Sequence, residues 1–554
     1  MKLTRLVTDI LGVSSLAILT AIIAAMSRVR SGDRLRGLVD ARASVWGMAV
    51  AAVSRDRMRG AFGTTFLLAV LAAGCAQVAG SGAQPADARE AATAAYFDSI
   101  RDEPAMLAAF LERMPVGGDI HHHLGGGVRT PELIRMAMDD RLCLPRDHAA
   151  QWVLQSPPCG EDERPIAEAL EDIAFRREIE RRWSMLDYLG DSTSMDRIAA
   201  SEHFFASFGK LALVQRDISR LLAAARTLAA GSGVIYLETA TSHTPDPEAR
   251  DALAGSVCWN DDLAALRRTV LADPRFAALR DATIESLAQG LEASDRMLGC
   301  DTGVPDPGCG VFVRFQHLTV RTFEPVVVFV NLLLAYEIAA ASPLVVGINL
   351  AAAETHPVAL RDYDLHMRML GELAAYYPAV RRSLHAGEML DAQAAALGAE
   401  RHIRLAVAPA EAGGAAAHRL GHAVALKADP QPEALLVQMR RRGVAIEISP
   451  ESNRQLLGVD PVNHPLVDYL TAGVPVVLAT DDPGLMLSDL RRQFALAARN
   501  VAVSYPTLKA LATNSIAYSF LPQVDRQRLL RRLEGDFAVF EATRWETPHG
   551  GGAR

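Results

Sequence analysis

The sequence predicts an α/β fold in which a parallel β-sheet is covered by helices. From about Ala92 onward, Ala-, Leu- and Arg-rich helical segments alternate with short apolar runs, which is the pattern of repeated βα units. The runs are β-branched and almost continuously apolar, as expected of strands buried on both faces. In a barrel built from such units, the residues that follow the strands meet at one mouth. The predicted strands are 234–237, 311–315, 344–350, 382–385, 444–448 and 474–479.

Composition supports a large folded domain and argues against one class of partner. The chain has 554 residues, of which 50% are hydrophobic and 22% charged, so there is enough apolar material for a large core. Its net charge of -8, without a basic run, argues against nucleic-acid binding. Residues 139–310 are long for one βα unit and are expected to contain inserted helices.

The first 95 residues are predicted to lie outside the fold. Residues 10–26 form an uncharged apolar run, which fits a membrane anchor, a signal segment or a buried helix. Residues 58–75 resemble a lipoprotein signal peptide, with Met58-Arg59 before a short apolar run that ends in Leu71-Ala72-Ala73-Gly74-Cys75. An Ala-rich helix with a chance cysteine is the alternative.

This signal predicts how the protein is organised and where it is located. Translation is expected to start at Met58, which makes residues 1–57 an upstream extension; otherwise they are an additional membrane anchor. Residues 76–95 are predicted to be a flexible tether, and residues 96–546 the barrel. Cys75 is the candidate lipidation site, so we expect an exported protein, attached to a membrane on the periplasmic or extracellular side.

The other cysteines agree with export. Cys143 and Cys159, like Cys300 and Cys309, are close in sequence within Pro- and Gly-rich loops, and disulfides between them suit an oxidising compartment. Five unpaired thiols are the alternative, since spacing does not establish connectivity. Cys258 is left over.

The first chemistry-bearing cluster is a run of three histidines between Ile120 and Leu124. On a strand, His121 and His123 point to the same side and His122 to the other. Two imidazoles on one side, followed by glycines that permit close approach, suit a zinc ion. A polar loop or a hydrogen-bonded core histidine is the alternative reading.

Four further clusters lie at the ends of predicted strands or after a short apolar stretch. His385 is followed three residues later by Glu388, whose carboxyl group is a candidate proton donor in an enclosed site. The paired Asp481 and Asp482 follow an apolar strand, where a cation or a substrate, or only a helix cap, would account for them. The remaining two clusters are His422 in 419–422, which is otherwise an ordinary loop histidine, and the segment 346–354, which offers backbone groups to a ligand.

The order of these motifs, HxH, then HAGE, then GH, then TDD, resembles the adenosine deaminase family of the amidohydrolase superfamily. The segment Met114-Pro115-Val116-Gly117-Gly118-Asp119-Ile120-His121 is most similar to the secreted, growth-factor-like branch and its bacterial relatives. The resemblance covers roughly residues 98–540. It implies a (β/α)8 TIM barrel with inserted helices and loops, and zinc-dependent hydrolytic deamination of adenosine or 2'-deoxyadenosine to inosine or deoxyinosine plus ammonia.

The resemblance also implies a role for each motif residue. Glu388 would protonate the purine at N1, His422 would orient or deprotonate the attacking water, and Asp482 would contact the ring. Backbone of the segment from Gly347 through Ala352 to Glu354 would face the purine edge. The implied ligands of Zn²⁺ are His121, His123, His385 and Asp481.

Two alternatives remain at this point. One is an amidohydrolase of the same fold that acts on another aminopurine or on a nucleotide, because a barrel does not determine its substrate. The other is a lipid-anchored binding protein without activity. The sequence leaves the oligomeric state open.

Overall fold

Strands and helices alternate along the computed structural model, which describes residues 86–147, 151–189, 197–500, 502–543 and 545. Ten strands lie among these residues: β1 Gly118–His123, β2 Cys143–Pro145, β3 Glu163–Pro165, β4 Tyr236–Thr241, β5 Phe312–Val320, β6 Val345–Ala351, β7 Arg382–Ala386, β8 Arg419–His422, β9 Ala445–Ile448 and β10 Val476–Leu478. β2 and β3 form a small antiparallel pair, and the other eight form one sheet in the order β1, β4, β5, β6, β7, β8, β9, β10.

The eight-stranded sheet closes on itself. All its neighbouring strands are parallel, and a parallel bridge between His122 and Asp481 joins the two ends of the sheet. The amide of His123 donates to the carbonyl of Asp481 at 2.8 Å, and the amide of Asp481 donates to the carbonyl of His121 at 2.9 Å. The predicted (β/α)8 barrel is therefore confirmed.

Helices surround the barrel. Twenty α-helices lie in the described part of the chain: α1 Ala86–Ile100, α2 Pro104–Arg113, α3 Thr130–Asp139, α4 Ile173–Arg182, α5 Arg197–Lys210, α6 Ile218–Gly231, α7 Pro247–Ser256, α8 Leu263–Leu271, α9 Pro274–Met297, α10 Pro325–Ala341, α11 Pro357–Arg361, α12 Tyr363–Tyr376, α13 Asp391–Leu397, α14 His402–Val407, α15 Pro432–Arg442, α16 Pro450–Leu457, α17 Leu466–Thr471, α18 Leu490–Ala498, α19 Tyr505–Ala517 and α20 Gln523–Glu541. Several lie between β1 and β5, where inserted helices were predicted.

The strands owe their apolar sequences to burial on both faces. Every residue of β7, β8, β9 and β10 is buried. One face packs inside the barrel and the other against the helices, so alternation of polar and apolar residues is lost. The polar residues that these strands do carry must therefore be paired inside the protein.

Two disulfides connect the predicted cysteine pairs. Cys143 and Cys159 are bonded, with their Cα atoms 5.5 Å apart, and Cys300 and Cys309 are bonded with a Cα separation of 5.4 Å. Both separations lie within the range usual for disulfides. Cys258 is free and exposed.

The amino-terminal boundary of the fold differs from the prediction. Residues 86–95 were expected to belong to a flexible tether, but they form the first part of α1. Thr93 is buried, and Glu90 pairs with Lys509 of α19 at 2.6 Å. The segment is rich in alanine, which suits a spacer but is also the best helix former.

The remaining amino-terminal predictions lie outside the described residues. These are the extension 1–57, the signal peptide 58–75 with Cys75, and the tether residues 76–85. Among the helices that are described, none combines the length and the apolar character that crossing a membrane requires.

Candidate active site

Three histidines and one aspartate meet at the carboxyl ends of the barrel strands. His121 and His123 lie on β1, His385 lies on β7 and Asp481 follows β10. One potential ligand atom from each lies within 4.8 Å of the others. The structure thus brings together all four residues that the sequence proposed as metal ligands, and it places His122 elsewhere, with Nδ1 2.8 Å from Thr239 Oγ1.

The nitrogen atoms of this cluster fit a metal ion. In each histidine, Nδ1 has a side-chain partner: Glu447 Oε2 at 2.7 Å for His121, Asp482 Oδ2 at 3.0 Å for His123 and Asn349 Oδ1 at 3.0 Å for His385. Nε2 of His121 and Nε2 of His123 are buried without a hydrogen-bond partner among the described residues. Such atoms are costly unless something satisfies them. Three imidazoles and one carboxylate can therefore hold a divalent metal ion.

Two glycines allow the cluster to pack closely. A Cβ atom at Gly421 of β8 would lie 2.3 Å from the His121 ring, and one at Gly126 would lie 1.8 Å from Asp482 Oδ1. Both distances are far inside van der Waals contact. Any larger residue at either position would displace His121 or Asp482.

A buried ionic network contacts His121 through its Nδ1 atom. Glu447 accepts hydrogen bonds from His121 Nδ1 and from Ser383 Oγ, the latter at 2.8 Å. Arg419 pairs with Glu447 and also with Glu238, whose Oε1 lies 2.5 Å from Nη2. These three charged residues were not among the site residues predicted from the sequence. Such residues can be recognised in a sequence as isolated charges within otherwise apolar strands, because a charge that is buried there needs a partner.

Charges set the protonation of the cluster. Burial alone would favour neutral His121, but the carboxylates of Asp481 and Glu447 beside the ring raise its pKa to about 9. Burial also favours neutral Asp481, yet the surrounding histidines hold its pKa well below the ordinary value. The carboxylate is therefore ionised and available as a ligand.

Glu388 lies beside the cluster. Its Oε1 is 3.6 Å from Nε2 of His422, and both residues have potential ligand atoms close to Asp481. Burial and the Asp481 carboxylate raise the pKa of Glu388. Its carboxyl group therefore keeps its proton to a higher pH than an ordinary glutamate.

A chain of hydrogen bonds determines which nitrogen of neutral His422 carries hydrogen. The backbone amide of Leu466 donates to Nδ1 of His464 at 3.1 Å, so neutral His464 has its hydrogen on Nε2. That hydrogen is donated to Asn453 Oδ1 at 3.0 Å. The Asn453 amide then donates to Nδ1 of His422 at 3.1 Å. Neutral His422 therefore carries its hydrogen on Nε2, the nitrogen nearest to Glu388.

A cavity for a substrate adjoins these groups. It has a volume of about 410 Å³, it includes Glu388 and Glu354 in its wall, and Phe205, Leu390 and Leu456 supply apolar surface. This is within the size range of small-molecule sites. Glu388, which lies beside the four candidate metal ligands, thus borders a space that can hold a small organic molecule.

The predicted substrate-binding residues have different outcomes. Asp482 is at the mouth and buried, with Oδ1 lacking a hydrogen-bond partner in the described structure. Ala352 follows β6 at its carboxyl end, with φ of 86°, a conformation that non-glycine residues rarely adopt. Its carbonyl accepts from Arg321 Nε at 2.8 Å. Both residues are therefore placed where a substrate contact is feasible.

The prediction for Gly347 is wrong. Gly347 is the third residue of β6, and a Cβ atom there would meet Phe520 and the carbonyl of Arg381. Those groups lie at the amino ends of the strands, whereas the metal cluster lies at the carboxyl ends. The motif 346–354 runs from the amino end of β6 into the loop after its carboxyl end, so its first and last residues lie at opposite ends of the barrel.

Glu354 supports the site instead of presenting a free carboxylate. Its oxygens accept from the backbone amide of Gly387 at 3.1 Å, from that of Glu388 at 2.9 Å and from His402 Nδ1 at 2.6 Å. The loop that carries Glu388 is therefore anchored by Glu354. A sequence motif alone does not distinguish such an anchor from a substrate contact.

Comparison with known families identifies one match. The family model described as Adenosine deaminase matches residues 270–535. This segment contains His385, Glu388, His422 and Asp481, while His121 lies before it. The structure places His121 and the matched residues in one cluster.

Individual relatives match parts of the chain. Aminodeoxyfutalosine deaminase of Streptomyces coelicolor is 32% identical over 128 residues, 23% of this chain, so the chain spans about a third (32%) of that relative's length. Adenine deaminase of Sinorhizobium fredii is 27% identical over 263 residues, covering 46% of this chain and 68% of the relative. The crystal structure of adenine deaminase from Arthrobacter aurescens aligns with a TM-score of 0.49 at 18% identity, over 76% of this chain and 98% of that one.

Proposed function

We propose that the chain, which is similar to the adenosine deaminase family over residues 270–535, is a member of that family and catalyses zinc-dependent hydrolytic deamination of adenosine or 2'-deoxyadenosine. The products are inosine or deoxyinosine and ammonia. One observation carries the proposal: the four candidate ligands meet beside Glu388 and His422 at the carboxyl ends of the strands. Those ends are where barrel enzymes place their active sites.

Zinc is the metal that this donor set suits. His121, His123, His385 and Asp481 would hold the ion through three imidazole nitrogens and a carboxylate oxygen, donor types that zinc commonly binds in proteins. When bound, such an ion supplies Lewis-acid activation of water near neutral pH. The buried Nδ1 partners of the histidines hold the rings in place for it.

Glu388 is the proton donor in this mechanism. Because its pKa is raised, its carboxyl group is still protonated near neutral pH. We place that proton on N1 of the purine, which withdraws electrons from C6 as water adds and ammonia leaves. Glu354 keeps the backbone of Glu388 in position through the bond of 2.9 Å.

His422 orients the water and does not deprotonate it while neutral. Its Nε2 carries hydrogen, so it can donate a hydrogen bond but cannot accept a proton there. Burial lowers the pKa of His422 to about 4, which keeps the ring neutral. Of the two roles that the family resemblance allowed, orientation is the one that we propose.

Asn453→Asp tests this role. A carboxylate at 453 would accept from Nδ1 of His422 and move the ring hydrogen away from Nε2, so kcat should fall by about 10–100-fold, the usual cost of altering such supporting residues. Steady-state kinetics gives the loss, and ¹⁵N NMR of the histidines reports the tautomer. The exposed Asn463→Asp is the matched control. An unchanged kcat together with a changed tautomer would disprove the role.

Asp482 and the backbone at Ala352 are the proposed purine contacts. Asp482 is held by His123 Nδ1 through one oxygen, which leaves Oδ1 for the ring near N7. Burial raises the pKa of Asp482, so a neutral carboxyl able to donate to N7 is favoured more than in an ordinary aspartate.

Ammonia release from a substrate panel tests the proposed function. Adenosine and deoxyadenosine should be deaminated with higher kcat/KM than AMP, adenine and guanine compounds. Adenine is the second candidate, because the chain is similar to adenine deaminases over 46% of its length. Higher kcat/KM for adenine would select that alternative, and no ammonia from any member of the panel would reject deamination of purines.

We also propose that the protein is exported and lipid-anchored through Cys75. The two disulfides support this, since cystines persist mainly outside the reducing cytosol. Cys75→Ala should move the protein from the membrane fraction to the soluble fraction, with unchanged activity. Mass spectrometry of the native amino terminus should find an acylated Cys75, and an unmodified Met1 would rule the proposal out.

A further inference from the structure

A second cavity lies at the end of the barrel opposite the metal cluster. Its volume is about 550 Å³. Its wall includes Val346 of β6, Arg381 just before β7, Arg419 at the start of β8 and Gly443 just before β9, and the segment 517–523 covers it. The cavity is therefore formed by the amino ends of four neighbouring strands. The catalytic mechanism does not use it.

The charged side chains in the wall of this cavity are all positive. They are Arg381, Arg419, Arg442 and Arg526; His418 and Tyr518 also line the cavity, and no aspartate or glutamate of the described chain does. The charge of Arg419 is compensated by Glu238 and Glu447. The other three arginines have no carboxylate oxygen within 4.0 Å among the residues that the structure describes. In a chain with a net charge of -8, such a concentration is unexpected.

The guanidinium groups also keep free donors. Arg526 donates to the carbonyl of Leu521 at a long 3.5 Å, and Arg442 donates to the carbonyl of Val407. Arg381 makes no side-chain hydrogen bond within the described regions. Each guanidinium offers five N–H groups, so most of them remain available to a ligand.

The arginines repel one another. Burial lowers the pKa of Arg381, and the neighbouring Arg382 and Arg526 lower it further. Burial and the arginines around it lower the pKa of His418 to about 3. An anion between these groups would convert mutual repulsion into attraction.

Local helix chemistry explains only one of the three arginines. Arg442 is the last residue of α15, where the helix dipole favours a positive charge. Arg381 precedes a strand, and Arg526 lies in the first turn of α20, where the dipole disfavours a cation. The helix dipole therefore does not explain the placement of Arg381 and Arg526.

We propose that the cavity at the amino ends of the strands binds a phosphate group, as inorganic phosphate or a small phosphomonoester. Guanidinium groups match phosphate oxygens with paired hydrogen bonds, and three of them suit a dianion better than a carboxylate. The volume leaves room for a small organic group beside the phosphate. The phosphate of a glycerophospholipid has the same chemistry and is the second possible source.

Calorimetry on the full chain tests the site. Inorganic phosphate, glycerol 3-phosphate and phosphatidylglycerol vesicles are titrated separately at constant ionic strength. Arg381→Gln/Arg526→Gln removes two of the uncompensated charges and should weaken phosphate binding by at least about tenfold. Arg441→Gln/Arg531→Gln is the control, since it removes the same charge from exposed positions on α15 and α20 outside the cavity. Melting temperatures verify that both variants fold.

The results of these titrations distinguish a soluble phosphate ligand from a lipid headgroup. Binding of the soluble phosphates that is lost only in the cavity variant supports a soluble ligand, and binding of vesicles alone, lost in the same variant, supports a lipid headgroup. Equal weakening in both variants, or no binding to any probe, would overturn the proposal. Phosphate bound at the metal cluster would be unaffected by either variant, and this result would also overturn it.

Discussion

Asp481→Ala is expected to remove both bound zinc and deaminase activity. The change deletes the single carboxylate of the donor set and leaves only three of the four candidate ligands. Since metal activation of the nucleophile is worth several kcal/mol, kcat/KM should fall by roughly 10³-fold or more. Metal analysis of the purified protein should find about one zinc per chain in the wild type and little in the variant.

Asp301→Ala is the matched control for this prediction, because Asp301 is exposed in a surface loop far along the chain from the cluster. It should retain zinc and activity. His121→Ala should behave as Asp481→Ala does. If wild-type protein is active without any bound transition metal, the assignment of the four ligands is wrong.

Glu388→Gln is expected to abolish most activity while leaving zinc in place. Glutamine keeps the shape of the side chain but cannot supply a proton, and a positioned general acid is typically worth 10²–10⁴-fold. We therefore expect kcat to fall by at least about 10²-fold, with little change in KM. Steady-state kinetics with metal analysis of the same sample separates this effect from loss of the ion.

The pH profile provides a second measurement on Glu388. Burial and Asp481 raise the pKa of this acid, so the wild-type rate should decline as the pH rises through that pKa and the proton is lost. The variant should lack this decline. Glu292→Gln, exposed on α9, should resemble the wild type. A fully active Glu388→Gln protein would mean that another group donates the proton.

Local patterns in the sequence predicted a parallel sheet covered by helices, and the family resemblance implied the (β/α)8 barrel and the four metal ligands. His385 and Asp481 each stand at the carboxyl end of an apolar strand and His121 lies on β1, and the topology of a parallel barrel is sufficient to bring such ends together. Motif order then indicated the family. The structure was needed to find side-chain contacts between different strands, because these contacts depend on the register of the strands.

The charged network beside His121 is an example of contacts that depend on strand register. Glu447, Arg419 and Glu238 come from three strands, and their pairing depends on side-chain distances that no single segment contains. Gly347 was misplaced for a related reason, since a nine-residue motif extended from one end of the barrel to the other. The tether was misread because alanine-rich composition suits a spacer and a helix equally.

The seam of the barrel, where the bridge between His122 and Asp481 joins the first strand to the last, affects how activity would be lost on heating. The backbone of Asp481 bonds to that of His121 and His123, so the contact that joins the first strand to the last uses the same residues as the metal cluster. Thr480 adds a bond to Asp119 at 2.5 Å. Fraying of this seam would separate the ligands before the rest of the fold opened. Loss of activity on heating should therefore precede global unfolding, and added metal should protect the termini of the barrel against proteolysis.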